Sequence, residues 1–468
     1  MSESIALLAS AVWTPVLFLI ILGGLFFLFY SRFVPYKYFG HSVAIIRGKY
    51  DNPDQPGQIS AYQALSTALA STVGMGNIAG VAVAISLGGP GALFWMWVTA
   101  FVGMATNFFT STLAVMYRGQ DSAGEIQGGP MYVIREALGK KWRPLAVLFS
   151  FCCLVGCLPI FQANQLTQLI VDFTIRSAET RNASWSLFGQ EINQARLLIG
   201  TALMILSAAV VVGGIKRIGY WAGNMVPLMI VLYFLSVLLI LILNIEKVPG
   251  YVLLIFTDAF SARHFQGQQA MGGLVGGLIV MGVRRASFSN EAGIGTAPMA
   301  LGASKSSEPI REGLVSMLSP AIDTLLVCSL TAFAILVTGV WQTSHADGVT
   351  LTTNAFASSL GYPGKILLLV SAFFFAVTSL FSYSYYGNKA MSFLLGVKYG
   401  WIYDYLYLAS IVLAAVIPMR DVINIIDIAF ALMAIPTMLS GFRLAPRVMK
   451  EARIYFEKMK GRNDVPQV

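Results

Sequence analysis

Long apolar runs recur along the whole chain, with short polar segments between them. Eleven of these runs come near or beyond the length of about 20 residues that an α-helix needs to cross a bilayer. They cover residues 12–31, 59–87, 92–117, 144–173, 197–213, 220–243, 251–286, 313–340, 364–396, 401–417 and 421–442. The pattern predicts an all-α integral membrane protein with about 11 transmembrane helices.

Two of the predicted helices contain helix-breaking or polar residues near their middle. Residues 59–87 include Thr72-Val73-Gly74-Met75-Gly76-Asn77, and residues 251–286 include a polar stretch from Asp258 to Gly267. Unwound backbone at membrane depth is tolerated only where it is buried in protein or lines a cavity. We therefore expect both segments to be broken helices. For the second, a short helix, a surface loop and another short helix is the alternative.

The two interrupted helices each begin a group of five. Apart from an N-terminal region of residues 1–58, the chain divides into residues 59–244 and 250–442, followed by a basic tail at 443–468. Because five is an odd number, the two groups must insert with opposite topology. Interrupted helices at matching positions of two inverted halves are typical of a transporter whose binding site lies between the halves.

The charges support a membrane protein and indicate its orientation. Of the 468 residues, 56% are hydrophobic and 11% are charged, against about 25% charged residues in a soluble domain. In the segments 31–58, 118–143, 214–219, 284–312, 387–400 and 443–468 lie 24 of the 31 Lys and Arg residues. This bias predicts that these segments are cytoplasmic, with the N-terminus outside. It also accounts for the net charge of +9 without a nucleic-acid partner.

The first interruption offers groups for both ends of a small zwitterion and for a cation. Gly74 and Gly76 let backbone amides approach a substrate carboxylate, with Thr72 and Asn77 beside them. The carbonyls of Ala70 and Val73 stand where the first half-helix ends and are free to hold sodium. Close helix packing is the alternative role of the two glycines.

Other polar residues inside predicted helices are candidates for the same site. Thr378 and Ser379 offer hydroxyl ligands for a cation, although such hydroxyls often bond within their own helix. Gln162 can face a cavity or join helices. Asp258 can pair with a substrate ammonium group; alternatively, it can pair with Arg263 or cap the N-terminus of the half-helix that follows it.

Asp323 and Asp427 also lie inside predicted helices, where each can serve as a structural acceptor or as part of a relay. Residues 341–363 form a polar segment that can hold a short helix over an outer vestibule.

Catalytic and metal-cofactor signatures are not found in the sequence. His41, His264 and His345 lie far apart, and the four cysteines lie in apolar runs without the spacing of a zinc site. There is no nucleophile elbow, phosphate-binding loop or ATPase motif. We therefore expect no enzyme activity, no cofactor, and transport driven by an ion gradient.

Six motifs, in order from residue 74 to residue 387, resemble those of a known family. They are Gly74-Met75-Gly76-Asn77-Ile78-Ala79-Gly80-Val81, Gly88-Gly89-Pro90-Gly91-Ala92 with Phe94-Trp95-Met96-Trp97, Gly128-Gly129-Pro130-Met131-Tyr132, Ser289-Asn290-Glu291-Ala292-Gly293-Ile294-Gly295-Thr296-Ala297-Pro298, Glu308-Pro309-Ile310-Arg311-Glu312-Gly313-Leu314 and Ser384-Tyr385-Tyr386-Gly387. The family is that of the alanine or glycine:cation symporters, also called sodium:alanine symporters.

The resemblance implies a LeuT-type inverted repeat of 5+5 helices and transport of small neutral amino acids with sodium. By resemblance, the substrate is bordered by Asn77, Gln162, Asp258 and Tyr383. By analogy with the wider LeuT-type sodium symporters, sodium would be held by the carbonyls of Ala70, Val73 and Phe375 and by the hydroxyls of Thr378 and Ser379. The chain departs from the family at Tyr383, where Trp is usual, and at Asn388, where Glu is usual.

The sequence therefore predicts a secondary transporter of a bacterial inner membrane that moves alanine or glycine with sodium by alternating access. A proton-coupled transporter of another small amino acid is the nearest alternative. A channel would need a continuous polar lining, and a membrane enzyme would need a catalytic pair.

Overall fold

Helices make up nearly all of the structure. The computed structural model describes residues 2–52, 54–174, 184–187, 190–261, 274–344, 346, 348–416 and 420–460. The α-helices are Ser2–Tyr30, Val34–Lys37, Phe39–Ile46, Ala61–Thr72, Val81–Gly88, Gly91–Met116, Pro130–Val133, Arg143–Gly156, Ile160–Thr174, Gln194–Val211, Gly214–Leu243, Val248–Asp258, Leu274–Asn290, Thr296–Leu301, Pro309–Ser316, Leu318–Pro320, Ser329–Thr338, Val340–Thr343, Gly348–Leu395, Gly400–Val416 and Arg420–Lys460.

Shorter elements join these helices. The π-helical turns are Gly76–Gly80, Ile134–Leu138 and Ala321–Cys328, and the 3₁₀ turns are Lys140–Trp142, Ile245–Lys247 and Val397–Tyr399. The described residues contain two antiparallel strand pairs, Gly119–Gln120 with Ile126–Gln127 and Ser184–Leu187 with Gln190–Asn193.

The helices confirm a multi-pass membrane protein. Within the described residues, 9 helices are long and apolar enough to cross a bilayer, and a bent pair brings the number to 10. The pair is Ala61–Thr72 with Gly76–Gly88, whose axes differ by 49°. The helix of Ser2–Tyr30 packs along Arg420–Lys460, where the Phe27 and Phe442 rings stack at 5.2 Å.

The first broken helix, residues 61–88, is interrupted where the sequence predicts. It begins with a capping box in which Ser60 and Gln63 each accept a hydrogen bond from the other's backbone N–H. The helix ends at Thr72, and Val73 leaves the helical region with ψ of 85°. Every residue from 64 to 82 is buried, so the unwound backbone lies within protein, as a membrane requires.

The second interruption lies later in the chain than predicted. Val248–Asp258 has only 11 residues, a length of about 16 Å, which is too short to cross a bilayer. Residues 262–267 of the predicted interruption lie outside the described part of the chain. A break occurs instead between Leu274–Asn290 and Thr296–Leu301, because Glu291, Gly293 and Gly295 all have positive φ.

The position of this second broken helix, residues 274–301, also changes where two of the basic residues counted as cytoplasmic lie. Arg284 and Arg285 lie in its first half rather than in the loop that the sequence predicted for residues 284–312. The apolar run at 251–286 combines the short helix Val248–Asp258 with the start of the second broken helix. The predicted end of the run, at residue 286, therefore falls near the middle of residues 274–301.

The helix of Gly348–Leu395 is likewise made of two parts. Gly361, with φ of 64° and ψ of −145°, interrupts it, and Pro363 follows. Residues 348–360 form an arm that precedes the long membrane helix of residues 362–395. The short helix expected within residues 341–363 is thus confirmed.

Candidate functional site

Side chains take over two backbone hydrogen bonds at the break of the first broken helix. Gly74 N–H donates to Asn77 Oδ1 at 2.9 Å, and Met75 N–H donates to Gln162 Oε1 at 2.8 Å. In a continuous α-helix these two groups would donate to the carbonyls of Ala70 and Ser71. The break therefore deprives the carbonyls of Ala70 and Ser71 of the hydrogen bonds that a continuous helix would give them.

Asp323 joins the two broken helices. Its Oδ1 accepts from Asn77 Nδ2 at 2.6 Å, and its Oδ2 accepts from Ser289 Oγ at 2.8 Å and from Thr324 Oγ1 at 2.7 Å. Asn77 belongs to the first broken helix, whereas Ser289 lies just before the second break. Asp323 itself lies in a π-helical turn, a feature that is frequent at functional sites.

The second break holds a buried carboxyl group. Glu291, with φ of 53° and only 1% exposed, accepts hydrogen bonds from the hydroxyls of Thr296 and Tyr383. Tyr383 comes from the long helix of residues 362–395, so this helix is tied to the second break. The carbonyl of Ile294 accepts from Thr437 Oγ1 at 2.9 Å.

The residues predicted to hold sodium lie beside the first break. Ser379 Oγ is so close to Gly74 that a Cβ at Gly74 would lie 2.5 Å from it. Ser379 Oγ and Thr378 Oγ1 donate to the Phe375 carbonyl at 2.9 Å and 3.1 Å. Ala70 and Val73 are fully buried at the end of the first half-helix.

The structure brings Gly74, Asn77, Gln162 and Ser379 together. We call these four residues, with Asp323 and Ser289, the central site. Gly76 is buried, yet apart from its chain neighbours and the nearby backbone of its own helix, no atom lies within 4 Å of the position of a Cβ there. Thr72 Oγ1 bonds back to Ala68 O at 3.2 Å within its own helix.

Asp258 lies away from the hydrogen-bonded groups of the central site. Its Oδ2 accepts from Gly91 N–H at 2.9 Å, and its Oδ1 accepts from Ser261 Oγ at 3.1 Å. Gly91 begins the helix of Gly91–Met116, so the carboxylate of Asp258 meets the positive end of that helix dipole. The alternative weighed from the sequence, an N-cap of the half-helix that follows Asp258, differs from these contacts, because the carboxylate meets the start of a different helix at Gly91.

Sequence reasoning left Ser289 and Glu291 out of the site, and treated Asp323 as structural or part of a relay. Two signals were available for them. Ser289 and Glu291 stand in the longest of the six motifs, and Asp323 is an acid inside an apolar helix. Neither signal indicates which residues face one another, because that depends on how the helices cross.

The two broken helices meet at a second place, where the segment before the first helix contacts the segment after the second helix. Lys305 N–H donates to Ile59 O at 2.6 Å, and Gln58 N–H donates to Ala303 O at 2.8 Å. Arg118 donates to the carbonyls of Gly302, Ser304, Ser306 and Pro56. We call residues 56–59, 302–306 and Arg118 the latch.

Burial lowers the pKa of the Arg118 guanidinium, and the charge of Glu312 raises this pKa again in part. The group stays charged because its ordinary pKa lies so far above neutrality.

Oxygen atoms dominate the ligands that the central site offers to a cation. Carbonyls and hydroxyls are hard ligands that suit sodium, and the buried break supplies both. Among the described residues, no group of three or more His, Cys, Asp or Glu side chains could hold a metal ion. The oxygen donors of the central site therefore fit an alkali cation.

The whole chain matches known transporters. The model of the sodium:alanine symporter family matches residues 1–468. An uncharacterized transporter of Haemophilus influenzae is 36% identical, with 96% of this chain and 95% of that protein covered. The sodium/alanine symporter AgcS of Methanococcus maripaludis is also 36% identical, with 96% of each chain covered.

The fold has a relative among solved structures as well. MhsT, solved in complex with L-phenylalanine, superposes with a TM-score of 0.53 at 15% identity, over 84% of this chain and 98% of that chain. This likeness shows the LeuT-type fold, which the six motifs predicted.

Proposed function

Because the chain belongs to the sodium:alanine symporter family and is a sodium-coupled amino-acid symporter, we propose that it carries alanine or glycine by alternating access. The observation that carries the proposal is the linkage of the two breaks through Asp323. Both broken helices must move when access alternates, and a site shared by them changes shape with that movement.

The first break offers a place for the substrate carboxylate. Met75 N–H donates to Gln162 Oε1, an uncharged acceptor that a carboxylate oxygen would replace with a stronger, charge-assisted hydrogen bond. The open space beside Gly76 would receive the small side chain of the substrate. Asn77 would hold the break in its unwound form through Gly74 and Asp323.

Sodium would lie on the other side of the same break. Its ligands would be the carbonyls of Ala70, Val73 and Phe375 and the hydroxyls of Thr378 and Ser379. The support is that Ser379 Oγ lies 2.5 Å from where a Cβ of residue 74 would be, and that Ser379 and Thr378 both donate to the Phe375 carbonyl. Asp258 and Tyr383, predicted beside the substrate by resemblance, would act from further away, Tyr383 through Glu291.

The orientation that we propose places the latch on the cytoplasmic side and the N-terminus outside, in a bacterial inner membrane. The segments that the latch joins carry Lys305 and lie near Arg118 and Arg311, in keeping with the excess of basic residues on the cytoplasmic side. The two inverted halves, residues 59–244 and 250–442, would rock about the central site, with the latch open in the inward-facing state.

Transport in proteoliposomes tests this function. We expect uptake of labelled alanine or glycine to require an inward sodium gradient and to exceed uptake of larger amino acids. Uptake in sodium-free vesicles with an imposed pH gradient would support proton coupling instead. Current through single channels, or chemical conversion of the amino acid, would contradict a symporter.

A further inference from the structure

A groove with a volume of about 650 Å³ lies between the N-terminal helix, the helix of Gly91–Met116 and the span of residues 309–338. Its lining includes Leu25, Trp97, Phe101, Leu325 and Ser329. All three spans are long and apolar enough to cross a bilayer, so the groove lies within the hydrocarbon region. Its volume is in the range of about 300–1,000 Å³ that is typical of small-molecule sites.

The polar groups on the groove wall bond to each other and to the backbone. Trp97 Nε1–H donates to Ser329 Oγ at 2.7 Å, and Ser329 Oγ donates to the Thr324 carbonyl at 3.3 Å. The wall therefore presents mainly apolar surface to a guest. A water molecule needs about 2–4 polar partners, so the groove favours a hydrocarbon occupant over water.

The bilayer determines which hydrocarbon is available. Phe101 and Leu325 are 41% and 36% exposed, and at this depth they face lipid tails. A gap beside them would forfeit the dispersion contacts that an acyl chain supplies. Because lipid tails are as apolar as leucine, the fit of the chain to the groove, rather than its hydrophobicity, decides how well it binds.

The groove wall is connected to the central site through the π-helical turn Ala321–Cys328. Leu325 belongs to this turn, and so does Asp323. The carbonyl of Thr324 accepts from Ser329 Oγ on the groove wall, and Thr324 Oγ1 donates to Asp323 Oδ2 at 2.7 Å. A π-helical turn is a rare interruption of a helix, so its shape depends on what packs around it. Packing on Leu325 thus bears on the position of Asp323.

We propose that an acyl chain of a membrane phospholipid occupies this groove, packs against Leu325 and helps to hold the π-helical turn that presents Asp323. Occupancy of the groove is independent of the proposed function, whereas the effect on sodium-driven uptake rests on it. A second copy of the protein would cover the same residues, and the experiments below distinguish it from a lipid.

Photolabelling tests the occupant. A phosphatidylethanolamine with a diazirine in the middle of one chain is incorporated into proteoliposomes with the full-length protein, and labelled peptides are identified by mass spectrometry. We expect label on residues 97–102 and 325–333. Leu25→Trp puts a larger side chain into the groove and should reduce this labelling about fivefold. Leu22→Trp, one turn earlier on the same helix at a lipid-exposed position outside the groove lining, should leave it unchanged.

The shape of the acyl chain tests the effect on the central site. Methyl-branched phytanoyl chains are wider than straight chains and should pack less closely in the groove. In phytanoyl lipid, the sodium concentration for half-maximal alanine uptake should be about threefold higher than in straight-chain lipid, both for the wild type and for Leu22→Trp.

In Leu25→Trp the indole takes the place of the acyl chain, so the two lipids should give the same sodium dependence. Each variant is first shown to elute as a monodisperse protein. Leu25→Phe, a smaller change, should give intermediate values and replaces Leu25→Trp if that variant does not fold.

Three results would overturn the proposal. One is groove labelling in Leu25→Trp as strong as in the wild type. Another is an equal effect of phytanoyl lipid on Leu25→Trp and Leu22→Trp, which would indicate a property of the bulk bilayer. The third is cross-linking of two protein copies through the groove in place of lipid labelling. Groove labelling of a wild-type protein that shows no sodium-driven uptake would support the acyl-chain site and refute the proposed function.

Discussion

Gly74 and Gly76 stand two residues apart in the same break, yet the structure predicts opposite outcomes when each becomes alanine. A Cβ at Gly74 would lie 2.5 Å from Ser379 Oγ and 3.0 Å from both amide atoms of Gln162. A Cβ at Gly76 meets no atom within 4 Å beyond its chain neighbours and the nearby backbone of its own helix, and the φ of Gly76 is not positive. Gly74→Ala must therefore displace its neighbours, whereas Gly76→Ala fits the backbone as it stands.

The energetic cost of Gly74→Ala follows from the distance between the new Cβ and Ser379 Oγ. Ser379 Oγ must retreat by about 1 Å to reach ordinary van der Waals distance, and overpacking of this kind costs about 1–3 kcal/mol. Because Ser379 is a proposed sodium ligand, we expect part of that cost to appear in sodium binding. A share of about 1.4 kcal/mol would raise the sodium concentration for half-maximal alanine uptake about tenfold.

Gly76→Ala should leave folding and sodium dependence unaltered but narrow the space proposed for the substrate side chain. The KM of the Gly76→Ala variant should then rise more for alanine than for glycine. Both variants are compared with the wild type by uptake in proteoliposomes and by thermal unfolding in detergent. Normal sodium dependence in Gly74→Ala, or equal effects of Gly76→Ala on the two amino acids, would refute the geometry of the central site.

Three further changes probe the surrounding contacts. Asn77→Leu should reduce uptake at least about 100-fold while the protein still reaches the membrane, because it removes the hydrogen bonds to Gly74 and to a buried carboxylate; uptake near the wild-type rate would contradict this role. Thr378→Val, nearly isosteric, should raise the half-saturating sodium concentration about tenfold, and an unchanged sodium dependence would rule out this cation site. Arg118→Gln removes the charged donor of the latch, so a cysteine at Ser304 should be labelled at least about ten times faster by a permeant thiol reagent; unchanged labelling would show that the latch is held by its backbone bonds alone.

Hydropathy was sufficient to predict the class of fold and the first break. Gly74 and Gly76 interrupt an otherwise apolar run, and backbone preference alone explains why the helix ends near Thr72. The second break was misplaced because a short helix of 11 residues and the next membrane helix are both apolar. The break is caused by three residues with positive φ. One of them is Glu291, and a glutamate in a sequence does not indicate a positive φ.

The site was predictable where a single helix supplies the geometry and not where helices cross. Gly74 and Asn77 interact three residues apart, which sequence spacing conveys. The contact of Asn77 with Asp323 spans 246 positions, and that of Met75 with Gln162 spans 87. Asp258 illustrates the converse, since an acid beside a predicted break bonds instead to the start of another helix at Gly91.

The break can also couple sodium to substrate through one peptide unit. The carbonyl of Val73 and the N–H of Gly74 belong to the same resonant peptide group, as do the carbonyl of Gly74 and the N–H of Met75. A cation on the Val73 carbonyl would draw electron density from that group and make Gly74 N–H a stronger donor to Asn77. Asn77 in turn donates to Asp323, which also binds Ser289, so the effect would reach the second broken helix. Because coupling between two ligands is reciprocal, a substrate that stabilises this same arrangement must strengthen sodium binding by an equal factor.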